Sequence, residues 1–128
     1  MVRKRIKRGN HFLFYFKKIK KIVEDQPNLN YINSLSEGDK SFEMKILDII
    51  KKEFKEEKNT YYNNMKNDNF KLCAENVHKI KHKISILGLE KSYEIAERYE
   101  NNLREGNYEL QNRFSDILNK VTNYLNKL

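Results

Sequence analysis

Apolar residues step by three and four through four long stretches of this chain, and only two to five residues separate one stretch from the next. That spacing lines one face of an α-helix. Long helices joined by such short connections fold back on their neighbours, each antiparallel to the last. The first helix is expected from about Lys40 to Met65, with Phe42, Ile46, Ile49, Ile50, Phe54, Tyr61 and Met65 inward, and Asn67-Asp68-Asn69 turns the chain. The second covers roughly 70–87, with Phe70, Cys73, Val77, Ile80, Ile84 and Leu87 on one side. Gly88 ends it where a left-handed cap is needed. The third runs from Leu89 to Arg104 with Tyr93, Ala96, Tyr99 and Leu103 inward, until Glu105-Gly106-Asn107 breaks it. The last spans about Tyr108 to Lys127, with Leu110, Phe114, Ile117, Leu118, Val121 and Leu125 inward. A short helix around Leu29, Tyr31, Ile32 and Leu35 comes first, and Ser36-Glu37-Gly38-Asp39 stops it and caps its successor. The fold class is therefore all-α: an antiparallel up-and-down four-helix bundle with a short extra helix and a basic N-terminal segment.

Charge divides the chain in two. Residues 1–23 hold nine Lys or Arg and no acid, whereas the remaining 105 residues carry a net −1 out of a total of +8. Pro27 marks the boundary, so residues 1–26 read as a basic leader, helical or disordered, and 27–128 as the bundle. The leader sets Phe12-Leu13-Phe14-Tyr15-Phe16 between two basic clusters. Five apolar residues are too few for the core of a secretory signal, and no small-residue cleavage site follows. Three readings fit it: a basic arm for a membrane surface or nucleic acid, a helix packed on the bundle, or a solvated tail. No apolar run approaches the roughly 20 residues that cross a bilayer. The single Cys73 excludes an internal disulfide and suits a reducing cytoplasm. Its place on the apolar stripe makes it a small buried hydrophobe.

The residue that stands out is His78. By the helical rotation it projects about 130° from the centre of the apolar stripe, onto the wet face. Lys81 lies one turn on, and Ala74 and Ser85 flank the pair with small side chains. An imidazole is a nucleophile near neutral pH without further activation. Lys81 can offset charge on a transferring phosphoryl group. Taken alone, an exposed His beside Lys on a charged helix is equally plain surface. His78 and His82 share the i, i+4 spacing that can clamp a metal, but no Cys or third His is placed to complete a zinc site, and none is expected. Gly-rich phosphate loops, catalytic triads and hydrolytic acid clusters are absent from the sequence.

The stretch from Asn76 to Gly88 resembles the histidine-containing phosphotransfer (HPt) domain of bacterial multistep phosphorelays. That family carries His on a helix, a basic residue at +3, glycine at +4, and Leu-Gly at +9 and +10. Here these positions hold His78, Lys81, His82 and Leu87-Gly88, so His82 departs from the pattern. The helical pattern agrees over residues 27–128. The resemblance implies a phosphorelay intermediate, without kinase activity of its own, that accepts a phosphoryl group on His78 from a receiver-domain phosphoaspartate and passes it to another receiver. Partners would be response-regulator receivers or a hybrid histidine kinase. The chain itself would need no cofactor, with magnesium on the receiver, and would work as a cytoplasmic monomer without nucleic acid or membrane. His78 lies ten residues before the turn at Gly88, level with Glu97 and Glu100 beyond it. In several members of the family a carboxylate or amide at the spacing of Glu100 holds the unphosphorylated ring nitrogen; a solvated glutamate is the alternative. Arg104, one turn on, would help hold phosphate. His82, Ser85, Ala74, Gly88 and Arg104 would border the receiver, His82 adding bulk there or swinging away. Against this stands a nucleic-acid-binding or adaptor helical bundle using the basic arm, although the near-neutral bundle lacks a basic recognition helix.

Overall fold

The structure, a computed structural model, describes residues 25–128, and the expectations for the leader up to residue 24 lie outside them. The described residues form five helices and no strand: α1 (Asn30–Ser36), α2 (Lys40–Lys66), α3 (Phe70–Ile86), α4 (Glu90–Arg104) and α5 (Gln111–Asn126). The punctuation follows local chemistry. The Asp39 carboxylate accepts the Phe42 N–H, satisfying one of the donors left open at the start of α2. Gly88 takes φ +76° at the α3–α4 turn, and the Asn28 side chain occupies the space a Cβ would need there. The Asn28 N–H donates to the Leu87 carbonyl at 2.9 Å, which ties the segment before α1 to the same turn.

The core is a continuous layer of the stepping residues. Val77, Ile80, Ile84 and Leu87 from α3 and its end, Ala96, Tyr99 and Leu103 from α4, and Phe114, Leu118 and Val121 from α5 are all buried. At its centre Tyr61, Tyr99 and Phe114 meet edge-on or tilted, with ring centroids 5.1–6.3 Å apart. The two tyrosine hydroxyls bond each other at 2.6 Å, so neither polar tip is stranded in the apolar interior. The long helix α2 departs from expectation at Phe42 and Ile49, which are exposed rather than inward. The seam of α2 runs through Glu43, Ile50, Phe54 and Tyr61. Phe42 and Ile49 each sit one residue, about 100°, off that seam.

Polar ties fix the packing of α2 on α3. Asn64 donates to the Asn76 side chain at 2.6 Å, and Lys83 lies 3.0 Å from Glu53 and 3.2 Å from Glu57. At the far side, Asp25 takes the Ser92 N–H and hydroxyl at 3.0 and 2.8 Å. Lys120 of α5 bonds the Asp25 carbonyl at 2.8 Å. Leu89, the N-cap of α4, makes no side-chain cap, so Asp25 caps that helix from elsewhere in the sequence. Asp25, two residues before Pro27, is thus tied to both α4 and α5. None of the described helices is long and apolar enough to cross a membrane.

Candidate functional site

On α3 the position after the buried Val77 faces solvent, and His78 stands there with half its side chain exposed. Ala74, one turn earlier, is fully buried. It offers no surface to a partner. Glu100 of α4 sits beneath the imidazole. Its two carboxylate oxygens lie 3.3 and 3.2 Å from His78 Nδ1.

Glu100 is itself only 8% exposed, and two cations hold it. Lys81 Nζ is 3.0 Å from Oε1, and Arg104 Nη2 is 2.9 Å from Oε2. Burial alone would raise the pKa of Glu100. The bonds from Lys81 and Arg104, with His78 beside them, outweigh it and hold the carboxyl below its ordinary value. An ionised carboxylate only accepts hydrogen bonds, so the proton of the neutral ring belongs on Nδ1. The lone pair is then on Nε2, the nitrogen turned away from Glu100. No hydrogen bond occupies Nε2 among the described residues.

Lys81 does not share the wet side with His78. It is buried on Glu100, and its ammonium lies 5.5 Å from the Tyr93 ring centroid. The helical rotation puts it on the same side as His78, and the proximity of a buried carboxylate draws it inward instead. Tyr93 is the neighbour that sequence reasoning left out of the site; it was marked only as inward. Arg104 keeps 45% of its side chain exposed while bonding Glu100. Glu97, the other acid level with His78, is exposed and lines a shallow groove with Tyr31, Ser85, Gly88 and Tyr93. Ser85 and Gly88 are therefore brought together with that groove. His82 lies on the exposed face, its ring edge-to-face with His78 at 5.0 Å between centroids and 89° between planes. No group of three or more His, Cys, Asp or Glu capable of holding a metal exists among the described residues.

The site can therefore present one oriented, nucleophilic imidazole nitrogen to a large partner from an open surface. No family model, no curated protein and no solved structure matches the chain.

Proposed function

We propose that this chain is a phosphorelay intermediate of the HPt kind, with His78 as phosphoryl acceptor. The observation that carries the reading is the Glu100 carboxylate on His78 Nδ1, which leaves Nε2 as the exposed nucleophile. Nε2 attacks the phosphorus of a receiver phosphoaspartate, the acyl P–O bond breaks, and the aspartate leaves as carboxylate. The ring, still carrying its Nδ1 proton, becomes cationic, and Glu100 offsets that charge. The reverse reaction hands the group to the next receiver. The receiver supplies the magnesium ion and the acidic cluster, so the bundle needs only to hold the ring. Lys81 contributes by fixing Glu100. Together with Arg104 it leaves the cluster one positive charge in excess, which favours an incoming phosphoryl group.

The finer architecture belongs to the same reading: an antiparallel up-and-down four-helix bundle, with α1 as the short extra helix. Residue numbers on α2 fall as those on α3 rise between the pairs Asn64–Asn76 and Glu57–Lys83, and this supports it. The carrier would work in the reducing cytoplasm as a monomer, with receiver domains or a hybrid kinase as partners. The test is incubation with receiver domains loaded from acetyl phosphate. A phosphoprotein that is acid-labile and base-stable should form in the wild type and vanish in His78→Gln. Labelling that survives His78→Gln, or none from any receiver, would remove the reading.

A further inference from the structure

Every cationic side chain expected to meet the phosphoryl group is already engaged. Lys81 and Arg104 both bind Glu100, and Lys81 is buried there. Lys83 lies between Glu53 and Glu57 of α2. Lys79 is exposed but stands one residue on from His78, about 100° round the helix. The ring of His82 is exposed and packs edge-to-face on that of His78, 5.0 Å away between centroids and perpendicular to it. We infer that His82 is a positioning residue for phosphotransfer: its imidazole N–H donates to a phosphoryl oxygen on His78 Nε2. This rests on the phosphotransfer reading above and deepens it.

Three features argue for it. His82 sits one helical turn from His78, where i and i+4 side chains are neighbours. Its exposure leaves the ring free to turn a nitrogen toward the incoming oxygens, which an imidazole can bond either neutral or protonated. A hydrogen bond to a charged oxygen is stronger than one between neutral groups. A phosphoryl group on Nε2 projects away from Glu100 and hence away from Lys81, and the His82 ring already contacts the ring that would carry it.

A small donor tests this without any receiver. In phosphoramidate the P–N bond breaks, Nε2–P forms, and ammonia leaves from the protonated amine, so no further reactant is needed. The rate of phosphohistidine formation would be followed by 31P NMR in wild type, His82→Leu, His82→Gln and His78→Gln. His82→Leu keeps bulk but loses the donor and should be slower by about fivefold, roughly one hydrogen bond. His82→Gln restores an N–H donor and should stay within about twofold of wild type. Thermal melting should be the same in wild type and both His82 variants, because His82 is exposed. A wild-type rate in His82→Leu, or a His82→Gln as slow as His82→Leu, would overturn the role of His82 alone. No label on His78 in the wild type, resolved from His11 and His82 by peptide mapping, would instead overturn the phosphotransfer reading and this inference with it.

Discussion

At Glu100 one carboxylate serves three donors, and the consequences can be separated by substitution. The first concerns the ring. With the carboxylate present, neutral His78 carries its proton on Nδ1; without it, nothing among the described residues holds that tautomer. Long-range 15N–1H spectra at a pH where the ring is neutral should show a protonated Nδ1 in the wild type. The proton should move largely to Nε2 in Glu100→Ala, and an unchanged spectrum would mean that Glu100 does not set the tautomer. The second concerns Lys81, whose side chain is 8% exposed and whose ammonium has Glu100 as its ion-pair partner. Removing one member of a buried pair leaves an uncompensated charge, so Glu100→Ala should cost about 3 kcal/mol in urea denaturation. Lys81→Met should cost less, because Glu100 retains Arg104 and His78.

The elements are held by their ends as much as by their faces. The turn between α3 and α4 brings Glu100 level with His78, and it depends on Gly88. A side chain at φ +76° is strained, and a Cβ there would stand 2.5 Å from the Asn28 amide nitrogen. Asn28 cannot easily give way, since its backbone N–H bonds Leu87 and its side chain accepts the Asn30 N–H. Gly106, at φ +79°, has nothing within 4 Å of the same position. Gly106→Ala should therefore lose only the backbone term, about 1 kcal/mol. Gly88→Ala should lose clearly more, about 2–3 kcal/mol, and should also weaken the His78–Glu100 contact. Chemical denaturation of the two variants side by side checks the order, and equal losses would show that Asn28 does not brace the turn.

For the whole molecule, two depressed acids shape the response to pH. Burial tends to raise the pKa of Asp25, but its bonds from Ser92, with Lys120 nearby, hold it below 3.8. Glu100 is held below 4.5 in the same sense. A group whose folded pKa is lowered stabilises the fold fully above its unfolded value and loses that contribution as pH falls through the folded value. Stability should therefore be flat above about pH 5 as far as these acids are concerned, and should decline from about 4.5 downward. The decline should be shallower in a variant carrying both Asp25→Asn and Glu100→Gln. Urea midpoints measured from pH 6 to pH 3 test this, and parallel curves for the two proteins would assign the acid limb to other carboxylates.

The all-helical class, the breaks at Gly38, Gly88 and Gly106, and most core residues were legible in the sequence, because they depend on spacing within one helix and on local backbone geometry. The level of Glu100 beside His78 was also legible, since it follows from counting residues on either side of one turn. What the sequence could not supply were the facts that depend on several elements at once. Phe42 and Ile49 fit the apolar steps of α2, yet the partners of that helix meet it along the line of Glu43 and Ile50. Asp25 looked like the end of a leader and instead caps α4, because Ser92 and Lys120 converge there. Rotation alone gave Lys81 to the solvent with His78. Only the approach of α4, with its buried carboxylate and the Tyr93 ring, drew the ammonium inward and left the exposed His82 ring edge-to-face with that of His78.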